Sequence, residues 1–317
     1  MKSYVFGVDL GGTTIKFGLF RADGTLLDKW SLPTRTENRG EHLLPDISCA
    51  LLGKLEENNI PVSEVLGVGV GVPGAVLRGS YVGPCVNLAQ WGGFDAAQAL
   101  EALCGFPVKL LNDANAAALG EMAAGGGHGK QNVVFVTLGT GVGGGVILSG
   151  KLLSGTHGCG GEIGHLKVKD GETLRCGCGK YGCLEQYASA SGLVRQAKEF
   201  LRSSSEASAL RDYEALSCED IFDCAKAGDA AALRLVDEMC YALGKALAAV
   251  SCVCDPEIIV IGGGVAAAGD ILLRGVEKHF LSCAFPPAES TLFALAELGN
   301  DAGIYGAAQL ILGEAQA

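Results

Sequence analysis

One pattern occurs twice in the chain and restricts its fold more than any other feature. Val5-Phe6-Gly7-Val8-Asp9-Leu10-Gly11-Gly12-Thr13 and Val134-Phe135-Val136-Thr137-Leu138-Gly139-Thr140-Gly141 share one plan. Each is an apolar run, a polar residue, a leucine and a turn of glycine and threonine, and each leads into a second apolar run. That is strand, turn, strand. Two hairpins that match in turn chemistry as well as in period predict two related halves. At 317 residues the chain has room for two domains of ordinary size. Glycine accounts for 48 of those residues, about twice the usual share. No collagen period is present, so the glycines must serve tight turns and close backbone approaches.

The remaining segments alternate between the two periodicities. Val65–Val72 reads as a buried strand ended by Pro73-Gly74, and Pro107–Leu111 as another. Helical spacing runs through Pro45–Asn58, Phe94–Cys104 and Ala114–Ala124, the last capped by Asn112-Asp113. In the second copy, Val133–Thr137 and Val146–Leu148 are the expected strands, with glycine turn between. Gly155–Gly182 is irregular and rich in glycine and cysteine. Helices follow at Ala188–Leu201, Cys218–Ala227 and Ala230–Cys252, then a strand at Ile258–Ile261 and a closing helix at Ala302–Leu312. The expected class is α/β.

A net charge of −11 with no Lys/Arg block argues against a nucleic-acid surface. Asp9 interrupts the first apolar run too early for a signal peptide. The charge-free stretch Gln131–Gly150 carries six glycines and reads as a hairpin rather than a membrane span. A cytoplasmic protein with no nucleic-acid or membrane partner is therefore expected. Its thirteen cysteines should be mostly reduced core thiols, Cys159 among them.

The glycine loops come first among the candidate functional segments. Gly139-Thr140-Gly141-Val142-Gly143-Gly144 and Gly69-Val70-Gly71-Val72-Pro73-Gly74 both fit G-x-G-x-x-G. A dinucleotide fingerprint must open a helix. Here a strand follows the first and Pro73 interrupts the second. What remains is a pair of hairpin turns whose N–H groups and threonine hydroxyls can cradle phosphates. Asp9, at the end of the first strand, suits Mg²⁺. Lys16, just past the turn, suits a phosphate, although an exposed strand lysine explains it nearly as well. Asp113 follows a strand end, where a carboxylate can act as a general base. On these residues alone a plain helix-capping pair is the better account of Asn112-Asp113.

The densest cluster is Glu162, His165, Cys176, Cys178, Cys183 and Glu185. The spacing H-x10-C-x-C-x4-C offers one imidazole and three thiolates, a tetrahedral zinc set with no open position. Such a zinc is structural. The competing readings are a chance cluster and a redox pair, but C-x-C is not the redox C-x-x-C. A rigid knot would fix Glu162, His165 and Glu185 around one spot, an arrangement that suits a polyhydroxylated ligand.

With those residues in view, the chain resembles the ROK family of sugar kinases and sugar-responsive repressors, most of all its bacterial glucokinases. The family's D-x-G-G-T-x-x-K stands here as Asp9-Leu10-Gly11-Gly12-Thr13-Thr14-Ile15-Lys16. Its central signature is similar to Gly160-Gly161-Glu162-Ile163-Gly164-His165. Its C-x-C-G-x-x-G-C-x-E is Cys176-Gly177-Cys178-Gly179-Lys180-Tyr181-Gly182-Cys183-Leu184-Glu185.

The resemblance implies an actin-like, hexokinase-type (ribonuclease H-like) fold of two α/β domains around a central cleft. Residues 1–113, joined by a C-terminal helix at 302–317, would form the small domain. Residues 114–301, with the zinc knot at 155–185, would form the large one. It also implies ATP-dependent phosphorylation of a hexose at its 6-hydroxyl, with Mg²⁺ and structural Zn²⁺. Glucose is favoured; mannose, fructose, N-acetylglucosamine and N-acetylmannosamine are the alternatives. Asp113 would be the catalytic base, and Asn112, Glu162, His165 and Glu185 would hold sugar hydroxyls. Asp9, Gly11, Gly12, Thr13, Thr14, Lys16, Thr137, Gly139, Thr140 and Gly141 would lie at the phosphates. Gly262, Gly263 and Gly264 would lie beside the adenosine. A homodimer or homotetramer is implied. A repressor of the same family would carry a DNA-binding domain ahead of Asp9, where only eight residues stand.

Overall fold

The structure, a computed structural model, describes residues 2–85 and 88–315. It divides into two compact units. The first comprises Met1–Gly129, Leu152–Gly160 and Asn300–Ala317; the second comprises Lys130–Lys151 and Gly161–Gly299.

The first unit opens with a meander of β1 (Tyr4–Leu10), β2 (Thr14–Arg21) and β3 (Leu26–Pro33). A kinked turn, α1 (Glu37–Gly40), and the helix α2 (Leu43–Glu57) lead to β4 (Val65–Val72). A small sheet of β5 (Val76–Leu77), β6 (Tyr81–Val82) and β7 (Phe94–Asp95) precedes α3 (Ala96–Cys104). Then come β8 (Val108–Asn112) and α4 (Asp113–Ala124). The main sheet has the order β3-β2-β1-β4-β8. β1 pairs antiparallel with β2 and parallel with β4, and β4 pairs parallel with β8.

The second unit repeats that plan. β9 (Val133–Leu138) and β10 (Val142–Leu148) form the hairpin, with β11 (Lys151–Leu152) at the edge. Four helices follow a short one, α5 (Glu185–Ala188): α6 (Ala190–Ser203), α7 (Cys218–Lys226), α8 (Ala230–Cys254) and α9 (Asp270–Leu281). β12 (Ile258–Gly262) lies between α8 and α9, and β13 (Leu292–Leu295) follows. The sheet order is β11-β10-β9-β12-β13; β9 pairs antiparallel with β10 and parallel with β12, and β12 parallel with β13, as β1, β2, β4 and β8 do in the first unit. The two hairpins that echo each other in sequence therefore hold the same place in two sheets of the same topology.

Each sheet is buried by its helices. In the first unit Leu43, Ile47, Leu51 and Leu55, spaced four apart on α2, are buried with Phe6, Phe17 and Leu100. The last helix, α10 (Ala302–Ala315), belongs to this unit and packs on β1, β4 and α4. Residues 316 and 317 of the expected terminal segment lie outside the described residues. Glycines allow a very close fit there. A Cβ at Gly7 or Gly69 would overlap a carbonyl oxygen of α10, and one at Gly306 would overlap the Ala116 carbonyl of α4. That contact ties α4 to the first unit, so the first unit runs past residue 113.

Two local expectations change. Gly143, Gly144 and Gly145 lie in β10 rather than in a turn, because a Cβ at Gly144 would press on Gly161 and Ile163. Cys159 is exposed rather than in the core. All thirteen cysteines are free, and six of them are buried. No helix of the described residues is long and apolar enough to cross a membrane.

Candidate active site

In the first hairpin the register sets Asp9 opposite Lys16. The Lys16 ammonium donates to Asp9 Oδ2 at 3.3 Å and to the Asn300 carbonyl at 3.0 Å. The turn between them is tight: the Gly11 N–H donates to the Thr14 carbonyl at 3.1 Å. Thr34 fixes it from β3's end, its hydroxyl donating to the Gly11 carbonyl at 2.7 Å. Gly12 and Thr13 at the tip are exposed. Thr34 was not legible as a site residue; no motif marks it.

Asn112 and Asp113 stand where β8 runs into α4. Asn112 is the helix cap: its Oδ1 accepts from the Ala114 N–H at 2.9 Å and the Asn115 N–H at 3.3 Å. Its Nδ2 donates to the Gly74 carbonyl at 3.2 Å, which fixes the side chain's rotation. Asp113 is exposed, and its Oδ1 accepts from the Ala114 N–H at 2.8 Å. A capping residue and an exposed carboxylate thus sit side by side. Burial pushes the neighbouring Cys85 thiol up to about 11, and the charge of Asp113 adds to the shift.

In the second hairpin the Gly139 N–H donates to the Gly141 carbonyl at 3.0 Å. The N-terminus of α6 anchors the loop, the Ala190 N–H donating to the Gly139 carbonyl at 2.8 Å. Gly139, Thr140 and Gly264 line a cavity of about 400 Å³ together with Cys218, Phe222 and Val265. Gly263, at φ +82°, lets β12 end against the backbone of Leu138, where any Cβ would overlap. Gly262 is the last residue of β12. Cys218 and Phe222 of α7, and Val265 just past β12, carried no recognisable spacing in the sequence.

The cysteine knot gathers His165, Cys176, Cys178 and Cys183, with all ligand atoms within 4.8 Å of one another. Cys178 Sγ lies 3.6 Å from Cys183 Sγ, and Cys176 Sγ lies 3.9 Å from His165 Nδ1. A zinc at thiolate distance gives tetrahedral edges of about 3.8 Å, so this donor set fits zinc. Burial pushes the Cys176 thiol up to about 12 and raises Cys183, while the Lys180 N–H lowers Cys178. A bound cation would reverse the first two.

The knot also places three polar side chains. His165 turns Nδ1 to Cys176 and Nε2 towards Glu162, whose Oε2 is 3.9 Å away. Both residues are exposed. Glu185 accepts from the Val142 N–H at 3.2 Å and from the Cys176 thiol at 3.6 Å. It therefore joins the knot to the second glycine turn, where a Cβ on Gly141 would overlap its carboxylate.

The ROK family pattern matches residues 5–314, and the chain belongs to the ROK family. It is 42% identical over 310 residues to the glucokinase of Halalkalibacterium halodurans, covering 96% of this chain and 94% of that one. The ROK hexokinase of Thermus thermophilus is similar in structure, with a TM-score of 0.83, 34% identity and 99% of both chains covered. A ROK glucokinase of Streptomyces griseus, solved with glucose and AMPPNP, has a TM-score of 0.75 and 34% identity, over 97% of this chain and 98% of that one. The fold is the actin-like, two-domain α/β architecture of sugar kinases.

Proposed function

We propose that the protein is an ATP-dependent glucose kinase that phosphorylates the 6-hydroxyl. The observation that carries this reading is its likeness to a glucokinase over almost the whole chain, with the phosphate, carboxylate and cysteine motifs intact.

Phosphoryl transfer asks for positioning and charge neutralisation more than for covalent chemistry. Asp113 orients the sugar hydroxyl and takes its proton as oxygen bonds to the γ-phosphorus and the bond to the ADP oxygen breaks. Its exposure at the helix start leaves the carboxylate accessible to that hydroxyl. Asn112, Glu162, His165 and Glu185 hold the other hydroxyls. Gly11, Gly12, Thr13, Thr14 and Lys16 receive phosphates, as do Thr137, Gly139, Thr140 and Gly141. Gly262, Gly263 and Gly264 border the adenosine, for which the cavity beside Gly139 and Gly264 has the room. Mg²⁺, taken up near Asp9, supplies neutralising charge when bound. His165, Cys176, Cys178 and Cys183 hold a structural zinc that keeps Glu162 and Glu185 in place. We place the enzyme in the cytoplasm, as a homodimer or homotetramer.

The test is ADP release from ATP and Mg²⁺ with glucose, mannose, fructose, N-acetylglucosamine and N-acetylmannosamine. The kcat/KM for glucose is expected to exceed the others by at least about tenfold, the value of one well-used hydroxyl contact. Preference for another hexose would replace the substrate, and no turnover with any would remove the kinase reading.

A further inference from the structure

The start of α10 touches each of the first three strands. The Lys16 ammonium of β2 donates to the Asn300 carbonyl at 3.0 Å, and the Lys29 ammonium of β3 donates to the Asp301 carboxylate. Gly303 lies against Asp9 of β1. A Cβ there would stand 2.8 Å from the Asp9 Cγ and 3.0 Å from its Oδ2. That same Oδ2 accepts from the Lys16 ammonium at 3.3 Å. All of these residues belong to the first unit. A short segment 284 positions beyond Lys16 thus meets both charged groups of the first hairpin.

The backbone of Gly303 is helical and outside the left-handed region, so its conformation does not call for glycine. The call comes from Asp9. Main-chain movement cannot supply room for a methyl group at this place. Asp9 is held in β1 between Lys16 of β2 and Gly71 of β4. α10 is clamped as well: a Cβ at Gly7, Gly69 or Gly120 would overlap the carbonyl of Ile304, Ala307 or Ala302. What yields is the Asp9 side chain, which can rotate about χ1. A methyl at 303 would turn the carboxylate aside and draw Oδ2 off Lys16.

We infer that Gly303 is a positioning residue for the phosphoryl donor. By carrying no side chain it sets the Asp9 carboxylate in the orientation that receives Mg²⁺, with Lys16 beside it. It acts through Asp9. The inference rests on the kinase reading, in which Asp9 takes the metal and Lys16 a phosphate.

Calorimetric titration of the full chain tests it without turnover, first with AMPPNP in the presence of Mg²⁺ and then with glucose. In Gly303→Ala the affinity for Mg²⁺–AMPPNP should fall by about 10–100-fold, the range for lost support behind a metal ligand. Glucose affinity should be unchanged. Gly313→Ala makes the same substitution in the same helix, with nothing within 4 Å of the new methyl, and should bind both ligands like the parent. Unchanged Mg²⁺–AMPPNP affinity in Gly303→Ala would overturn the inference. Parallel loss of glucose binding, or failure to fold, would overturn it too, because Gly303 would then serve packing and not Asp9. A parent that binds Mg²⁺–AMPPNP but phosphorylates no hexose would leave the role of Gly303 standing and remove only the kinase reading. A parent that does not bind Mg²⁺–AMPPNP would remove both.

Discussion

The two glycine hairpins occupy the same place in their sheets and carry different chemistry. In the first, Asp9 faces Lys16 across the strands, and the two pair at 3.3 Å. In the second, the same positions are Thr137 and Gly143. One hairpin brings charge to its turn. The other brings backbone N–H groups, a threonine and clearance. The reason lies in what each strand must pass. β10 runs against Gly161 and Ile163, and a side chain at Gly144 would collide with them. β2 has β3 as its outer neighbour and can carry a long side chain at Lys16. A repeated backbone device has thus been specialised by what packs beside it.

The largest expected effect lies outside both hairpins and sets the scale for them. Asp113→Asn should lower kcat by about 10²–10⁴-fold, the usual range for a lost general base. Glucose affinity, read by calorimetry, should stay near that of the parent. Loss of binding instead would make Asp113 an anchor rather than a base.

The division of labour between the turns is tested next. Lys16→Met should cost about 10–100-fold in kcat/KM for ATP, because it removes a charge-assisted phosphate contact. Thr137→Val should cost only about tenfold or less, as a neutral hydroxyl contact. Equal losses in steady-state assays would mean that the turns are not specialised.

Cys178→Ser sharpens the second hairpin further. It should remove the zinc, seen as loss of one equivalent by metal analysis. The KM for glucose should rise by about tenfold or more, in the range of lost metal-shell support. The Glu185 link to the Val142 N–H loosens as well, so the second turn should gain amide exchange while the first does not. A parent protein without zinc would end this line.

Two smaller effects concern stability. Gly306→Ala should destabilise by about 2–3 kcal/mol, since the added methyl meets backbone rather than a yielding side chain. Thermal unfolding reads it, and an unchanged Tm would show that α10 can shift. Glu172 is held down to about 2 chiefly by the Leu174 N–H, with the Tyr187 hydroxyl adding to it. A carboxylate depressed in the folded state stabilises above its ordinary value near 4.5 and loses that contribution as pH falls towards about 2. Glu172→Gln should flatten stability across that window alone.

Much of this was legible in the chain itself. Strong apolar runs gave β1, β2, β4, β8, β9 and β12, and the hairpin echo anticipated two sheets of one topology. The cysteine spacing gathered its four donors, because Gly179 and Gly182, both at positive φ, let the backbone turn tightly between them. Other features were hidden for physical reasons. The start of β10 is masked by three glycines whose purpose is a neighbour distant in sequence. β3, β13 and α9 lie in segments of mixed polarity, half-exposed at sheet edges or on one helical face. The placement of α4 in the first unit depends on α10, almost two hundred residues further along. The Asp9–Lys16 pair requires the register, which a motif does not state.

Identification of the sugar product tests the central claim most directly. The protein, glucose, ATP and Mg²⁺ are incubated, and the phosphorylated sugar is assigned by phosphorus–proton correlation NMR. The phosphate should be found on the 6-oxygen of glucose, at one equivalent per ADP. Phosphate on any other oxygen, or ADP with inorganic phosphate and no phosphosugar, would contradict it.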